Sequence, residues 1–335
     1  MLWQRQPWKQ APAALAGLAF LVTGLAADDK TPARSRTFDF AYSTTVRGLP
    51  PDKTVRIWLP VPDSSAEQDV KIAALKLPTT GKTEHTRDPM YGNKILYFEG
   101  KADAAGTIFV SATYRVTRKE VKEETPLKPE EAKMLARFLE ADALVPVGGK
   151  PLTLLAGLSL PMDQLAAAKI LYDRVNSHMR YSKEGTGWGL GDANWACDSR
   201  FGNCSDFHSL FISLARAHKI PAKFEIGFPL PEKRGEGDVG GYHCWALFRP
   251  EGRAWVPVDI SEANKNPKMR DYYFGNLTED RITFSTGRDL TLVPRQSSGP
   301  LNFFIYPHVE VEGKPWPAEK IDRQFSYKDR PAAAK

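Results

Sequence analysis

Three residues whose types together suit nucleophilic catalysis occur in order along this sequence: Cys204, His243 and Asp259. A cysteine at a helix start faces unpaired backbone N–H groups and the positive end of the helix dipole, and both stabilise the thiolate. The nearby Asp206 opposes the thiolate by like charge, so a base is also needed. Histidine can supply that base, and an aspartate can orient and charge it. The set predicts acyl transfer through a thioester, whereas Cys204 taken alone could equally be a buried, inert thiol.

A predicted hairpin brings His243 and Asp259 together. Strands are expected over 242–248 and 254–260, with a turn signal at 249–253. If those turn residues form the whole loop, Phe248 opposes Ala254, and His243 then lies directly opposite Asp259 on the same face. Cross-strand Cβ atoms are about 4.5–5.5 Å apart, which allows a side-chain hydrogen bond. A loop shorter by one residue would break the pairing and leave a half-buried histidine and an unrelated aspartate.

The elements that must position these residues form a predicted α+β domain over 150–310. Helices are expected from about Asp163 to Met179, where apolar residues recur at helical spacing, and from about Cys204 onwards. A glycine-rich loop over 182–203 separates them, and a run of strands follows from residue 222. Helices followed by a run of strands indicate the α+β class.

The N-terminal half of the sequence predicts an antiparallel β-sandwich over 36–120. Apolar residues alternate with polar ones in four segments, most clearly over 108–116. This region holds no cluster of residues suited to catalysis. A charged linker with a helix from Pro129 is expected over 121–149. A tail is expected over 311–335, and its polar part after Pro317 is expected to be loosely ordered.

The residues around the three candidates resemble the motifs of the transglutaminase-like superfamily. The helix Gly202-Asn203-Cys204-Ser205-Asp206-Phe207, with its continuation over 214–223, and the patterns His243-x-Trp245 and Trp255-x-x-x-Asp259 carry the resemblance over about 160–265. The 36–120 region is similar to the N-terminal extension of bacterial members. The resemblance implies a papain-like core in which Cys204 is the nucleophile, His243 the base and then the acid, and Asp259 the group that orients His243.

The same resemblance implies an enzyme of the bacterial transglutaminase-like cysteine protease type, acting on a protein or peptide substrate. Hydrolysis of amide bonds is the first expectation, and protein-glutamine transamidation is the alternative. A non-catalytic binding protein is a third possibility. The Cys204 backbone N–H is expected to stabilise the oxyanion, and the upstream residues Trp188 and Trp195 are candidates for a second donor that no motif supports.

No cofactor or metal is expected. Cys204 and His208 lie one helical turn apart, and Cys197, His243 and Cys244 are conceivable further zinc ligands. However, there is no Cys-x-x-Cys pair, and neighbours on a strand such as His243 and Cys244 point to opposite faces. Three cysteines also cannot make a disulfide framework. Parity alone makes Cys197 and Cys244 a candidate pair in an oxidising compartment.

The net charge limits the classes of partner, and the N-terminal segment predicts where the protein is located. Among 335 residues, 46 Lys and Arg against 40 Asp and Glu give a net charge of +6, too small and scattered for nucleic-acid binding. Arg5 and Lys9 precede an apolar run over 13–22 and small residues up to Ala27, which is the pattern of a signal peptide at 1–27. Export to a bacterial periplasm or beyond the cell is expected, without stable membrane insertion after cleavage. The sequence does not indicate an oligomeric state.

Overall fold

Two five-stranded antiparallel sheets and one four-stranded sheet organise the computed structural model, which describes residues 33–122 and 129–331. Its strands are β1 (Ser35–Val46), β2 (Val55–Val61), β3 (Gln68–Lys76), β4 (Lys82–Arg87), β5 (Lys94–Gly100), β6 (Ile108–Lys119), β7 (Val121–Lys122), β8 (Arg180–Tyr181), β9 (Phe201–Gly202), β10 (Ala222–Pro229), β11 (Glu236–Asp238), β12 (His243–Phe248), β13 (Val256–Val258), β14 (Asn276–Leu277), β15 (Arg281–Thr286), β16 (His308–Val311), β17 (Lys314–Pro315) and β18 (Ile321–Arg330).

The helices lie mainly between β7 and β14. The α-helices are α1 (Pro129–Lys133), α2 (Gln164–His178), α3 (Ala193–Ser199), α4 (Cys204–Ala217) and α5 (Ile260–Lys265). Short 3₁₀ helices cover Arg137–Leu139, Lys150–Leu155, Pro267–Met269 and Ala318–Lys320. Among the described residues, no helix is long and apolar enough to cross a membrane. The predicted signal peptide at 1–27 lies outside the described residues.

The N-terminal strands form the antiparallel sheets that their period-two pattern predicts. One sheet has the order β11-β18-β1-β6-β3, and the other has the order β17-β16-β2-β5-β4. Along β6, residues from Ile108 to Val116 alternate between buried and more exposed positions. Most buried apolar side chains of both sheets join one hydrophobic cluster that also includes residues of α2 and α4, whereas Trp58, Ile95 and Tyr97 belong to a second cluster. The predicted α+β class is therefore confirmed.

The C-terminal segment is more ordered than the sequence predicts. Residues 321–330 are not loosely ordered: they form β18, which pairs with β1 along its length and is also bordered by β11. Phe325 and Tyr327 are buried, and Arg36 on β1 binds Asp329 with a nitrogen–oxygen distance of 2.7 Å. The abundant charged residues of this strand mask its two inward-facing aromatic residues, so the sequence gives little strand signal. With β16 pairing to β2, C-terminal strands complete both sheets.

The four-stranded sheet and α4 form the part of the fold that positions the candidate site. The sheet has the order β13-β12-β10-β15, and every residue of α4 from Cys204 to Arg216 is buried. The expectation of a loop without regular structure over 182–203 is wrong, because this segment contains α3 and β9. The Asp192 side chain caps α3 by accepting the N–H groups of Asn194 and Trp195.

Candidate active site

Cys204 occupies the first position of α4, and a capping box fixes that turn. The Asn203 side chain accepts the Ser205 N–H at 2.8 Å, and the Asp206 carboxylate accepts the Asn203 N–H at 2.9 Å. The first backbone N–H groups of a helix have no intrahelical acceptor, so the Cys204 N–H can face a developing oxyanion. The Cys204 side chain itself is nearly buried, with 2% exposure.

His243 lies between the thiol and an acid. Its ring hydrogen-bonds to the Cys204 side chain. Its Nε2–H donates to Asp259 Oδ2 at 2.7 Å, which leaves Nδ1 as the nitrogen for the thiol. Asp259 is the N-cap of α5, where its Oδ1 accepts the Glu262 N–H at 3.1 Å. The structure thus brings together the three side chains that the sequence predicts as a set.

The hairpin that joins them has a different register from the predicted one. Phe248 pairs with Val256 and not with Ala254, and β13 ends at Val258, so Asp259 is not a strand residue. Because side chains alternate with a period of two, a shift of two residues keeps position 259 on the face of His243. The predicted contact therefore survives an error in the predicted pairing.

Asp259 and the start of α5 are held by two residues to which the sequence assigns no such role. Arg281 Nη1 donates to Asp259 Oδ2 at 3.0 Å, and its guanidinium lies 4.7 Å from the centre of the Trp245 ring. His208 Nε2 accepts the Ile260 N–H at 3.0 Å and so ties α4 to the start of α5. The spacing of four residues from Cys204 could have placed His208 near the site, whereas no motif points to Arg281.

The electrostatics of the buried cluster favour a thiolate beside an imidazolium. Burial opposes the charge on His243, but Asp259 and Cys204 outweigh it and raise the His243 pKa to about 10. Burial likewise disfavours the thiolate, but hydrogen bonds from Cys244 and His243 and the charge of His243 lower the Cys204 pKa well below its ordinary value. The pKa of Asp259 is lowered against the effect of burial by His243 and Arg281.

Asp206 fixes the glycine-rich segment beside Cys204. Its carboxylate accepts the N–H groups of Gly189 at 2.8 Å and Gly191 at 3.0 Å, in addition to that of Asn203. From the other side, Arg288 Nη1 donates to the Gly191 carbonyl at 2.8 Å. Burial nevertheless raises the Asp206 pKa to about 6. The role of Asp206 is thus positional, besides the charge effect that the sequence indicates.

Cys197 and Cys244, the candidate disulfide pair, have separate contacts. All three cysteines are free, so the Cys197–Cys244 pair is not formed. Cys244 lies 3.8 Å from Ser205 Oγ, while Cys197 lies 3.8 Å from Thr153 Oγ1.

The upstream tryptophans make contacts of their own. The Trp188 indole N–H donates to the Gly185 carbonyl at 3.1 Å. The Trp195 ring packs against Phe201, with ring centres 5.3 Å apart. Neither contact involves the Cys204 thiol.

Within residues 33–122 and 129–331, one group of side chains has ligand atoms close enough to hold a metal. Ligand atoms of His243, Asp259 and Glu262 lie within 4.8 Å of one another. The Arg281 guanidinium already forms an ion pair with Asp259, and Lys265 forms one with Glu262. Since these cations oppose a further positive charge, the group is better suited to holding a charged histidine than a metal ion.

Residues 154–260 match the transglutaminase-like superfamily. This part of the chain is a transglutaminase-like domain. The match contains Cys204, His243 and Asp259, and it begins within a 3₁₀ helix and ends at the first residue of α5. The N-terminal strands β1 to β7 precede this transglutaminase-like core along the chain.

A curated relative and two solved structures are similar to the chain. An uncharacterized protein of Haemophilus influenzae is 30% identical over 185 residues, covering 46% of this chain and 50% of the relative, so the chain spans about half the length of that relative. A protein of Cytophaga hutchinsonii, provisionally assigned as a cysteine protease, has a TM-score of 0.53 at 15% identity, covering 89% of this chain and 98% of its own. The periplasmic domain of TgpA from Pseudomonas aeruginosa has a TM-score of 0.35 at 17% identity, covering 70% of this chain and 90% of its own. At 15% identity, the Cytophaga hutchinsonii structure supports the fold and nothing finer.

Proposed function

We propose that the protein is a thiol hydrolase that cleaves amide bonds of proteins or peptides. The observation that carries this proposal is the position of His243, which hydrogen-bonds to the Cys204 thiol through one side of its ring and to Asp259 through the other. A nucleophile, a base and an orienting acid in this order can perform acyl transfer without a cofactor.

In the first half of the proposed reaction, the Cys204 thiolate attacks the carbonyl carbon of a substrate amide. The new carbon–sulfur bond places negative charge on the carbonyl oxygen, which the Cys204 backbone N–H stabilises. The carbon–nitrogen bond then breaks while His243 gives its proton to the departing amine. The products of this half are a free amine and a thioester on Cys204.

In the second half, His243 is neutral and takes a proton from a water molecule. The resulting hydroxide attacks the thioester, a carboxylic acid leaves, and the thiolate–imidazolium pair is restored. A primary amine in place of water would give a new amide and would make the enzyme a transamidase. Asp259 remains ionised throughout and holds the His243 ring in position.

Half-buried aromatic residues flank the thiol and suit an extended peptide. Burial raises the pKa of both Tyr181 and Tyr242, and the charge of Cys204 adds to it. Tyr242 is fixed by hydrogen bonds with Asn203 at 3.1 Å and Ser205 at 3.0 Å. These rings supply apolar walls on which side chains of a polypeptide can pack.

The proposal is tested by offering a glutamine-containing protein together with a labelled primary amine. New amino termini or released ammonia without label support hydrolysis, and incorporated label supports transamidation. Both products should be lost in Cys204→Ala and kept in Cys197→Ala, the matched control at a cysteine that contacts Thr153 and lies in another helix. Absence of both products from the wild-type protein would contradict the proposal.

We also propose that the protein is exported, because residues 1–27 have the order of charge, apolar run and small residues of a signal peptide. Expression in a bacterial host followed by fractionation would test this. Mature protein beginning near Asp28 in the periplasm or the medium is the expected result, and retention of Met1 on protein in the cytoplasm would contradict it.

A further inference from the structure

A cavity of about 680 Å³ lies on the side of the four-stranded sheet away from α4. Along β12, Cys244, Ala246 and Phe248 belong to the hydrophobic cluster that contains α4, whereas Trp245 and Leu247 belong to a separate cluster. Leu247 lines the cavity, which is therefore distinct from the Cys204 site. Its volume is within the range of small-molecule sites, about 300–1,000 Å³.

Most of the charged residues that line this cavity have partners of opposite charge. Three lining cations contact lining carboxylates: Arg87 and Lys94 with Asp63, and Lys223 with Glu131 and Glu225. The exception in the described part of the chain is Arg118 on β6. Glu67 and Glu225 attract it electrostatically, but no ion pair joins it to a carboxylate among the described residues.

In the described part of the chain, one edge of the Arg118 guanidinium has no hydrogen-bond partner. Its Nη1 makes two long hydrogen bonds, of 3.4 Å to Gln68 and 3.3 Å to Thr283. Its Nε is buried and makes no hydrogen bond within the described residues, and the hydrogen bonds of the guanidinium to those residues come from Nη1. The side chain has 2% exposure, so bulk water does not solvate it freely.

The free edge of Arg118 suits an oxyanion such as a carboxylate. Nε and Nη2 present two parallel N–H donors, the arrangement that binds both oxygens of a carboxylate. A buried charge without a partner is costly, so an anion at this edge would stabilise the folded protein. Burial lowers the Arg118 pKa to about 10, which keeps the side chain charged at neutral pH.

We propose that this cavity binds a small organic carboxylate, with the carboxylate on the Nε–Nη2 edge of Arg118. The body of the ligand packs on the apolar residues of the lining: Val121, Leu247, Pro257, Leu277 and Phe284. Thr283, beside Arg118, is two residues along β15 from Arg281, which binds Asp259. The site thus adjoins the support of the candidate active site, but its existence does not depend on the proposed function.

Isothermal titration of the full-length mature protein with phenylacetate and octanoate tests the proposal. Phenylethanol and octanol serve as neutral probes of similar shape. Saturable binding of at least one acid, at least about tenfold tighter than its alcohol, is expected, because only the acid can use the charged edge of Arg118. Equal binding of acid and alcohol, or no binding of either acid, would overturn the proposal.

Substitution of Arg118 places the binding in this cavity. Arg118→Gln should reduce the affinity for the acid to that for the alcohol, whereas Arg115→Gln should leave it unchanged. Arg115 is a matched control because it lies on the same strand and its side chain is 51% exposed. If Arg118→Gln does not fold, Arg118→Lys keeps the charge without the two parallel donors and should weaken acid binding about tenfold. Full affinity in a folded Arg118 variant would overturn the proposal.

Discussion

Arg281 Nη1 lies 3.0 Å from Oδ2 of Asp259, the oxygen that also accepts the hydrogen bond from His243. Asp259 is fully buried, so its charge depends on these two cationic partners. Arg281 is itself held over the Trp245 ring. The pair therefore fixes both the ionisation and the orientation of the acid behind His243.

Arg281→Gln should lower kcat about 10- to 100-fold, because misplacing a catalytic group by about 1 Å can cost about 100-fold. KM should change little, since Arg281 acts through Asp259 and does not touch substrate. Arg281→Lys should recover part of kcat because it keeps the charge. The check is steady-state kinetics on a peptide substrate. Arg234→Gln, at an arginine whose side chain is 46% exposed, is the control, and an equal loss of kcat there would contradict the assignment.

Alkylation of Cys204 by iodoacetamide should be nearly independent of pH from about 6 to about 9, whereas an ordinary thiol becomes more reactive as pH rises through about 8.5. The reason is that the Cys204 pKa lies well below its ordinary value and His243 stays protonated up to about 10. Rates are measured by mass spectrometry of the peptide that carries Cys204. In His243→Ala the supporting charge is gone, so the rate should become strongly pH-dependent. A rate in the wild type that climbs steadily with pH would exclude the ion pair.

His208 should make the folded protein less stable in mild acid. Burial lowers its pKa to about 4, so between pH 4 and the unfolded value of about 6.5 the unfolded chain binds the extra proton. Stability is therefore lost as pH falls through this window, by about 2 kcal/mol between about pH 7 and about pH 5. Urea unfolding at both pH values is the measurement. His208→Gln should lose less stability on acidification than the wild type, and an equal loss in both proteins would refute the assignment.

The glycine-rich segment over 185–191, which is hydrogen-bonded to Asp206 and Arg288, should tolerate a side chain at Gly185 but not at Gly191. A Cβ at Gly191 would lie 2.6 Å from Arg288 Nη1 and from Ser209 Oγ, and Gly191 has a φ of 64°. Gly185 also has a positive φ, of 79°, but open space around it. Gly185→Ala should therefore cost about 1 kcal/mol for backbone strain alone, and Gly191→Ala about 1–3 kcal/mol more from overpacking.

Thermal unfolding of the two variants compares these costs, and activity follows the same order because the Gly191 N–H hydrogen-bonds to Asp206 beside Cys204. Similar stabilities for the two alanine variants would show that the segment is not held as described.

The contact between His243 and Asp259 could be predicted from the sequence although the hairpin register could not. Alternation along the strands gives the face of each residue, and this survives a shift of two. The register depends on the length of the turn between Phe248 and Val256, and β13 then ends at Val258 because Asp259 caps α5 through the Glu262 N–H. The alternating pattern of a strand does not predict that the strand ends where a helix cap begins.

Contacts between segments that are far apart along the chain could not be predicted from the sequence. Arg281 reaches Asp259 because β15 pairs with β10, and β18 joins β1 across almost the whole chain. Neither strand has a strong alternating pattern, since β18 buries only Phe325 and Tyr327 at its centre. Helices with clear caps, such as α2 and α4, were located closely because their signals are local.

The central claim is that Cys204 is the nucleophile in cleavage of amide bonds. The most direct measurement incubates a mixed peptide library with the wild-type protein, Cys204→Ala and Cys197→Ala, and counts new amino termini by mass spectrometry, with acid-quenched protein searched for an acyl group on Cys204. We predict new termini with the wild type and Cys197→Ala, none with Cys204→Ala, and a thioester on the Cys204 peptide. New termini produced equally by Cys204→Ala, or by none of the three proteins, would contradict this account.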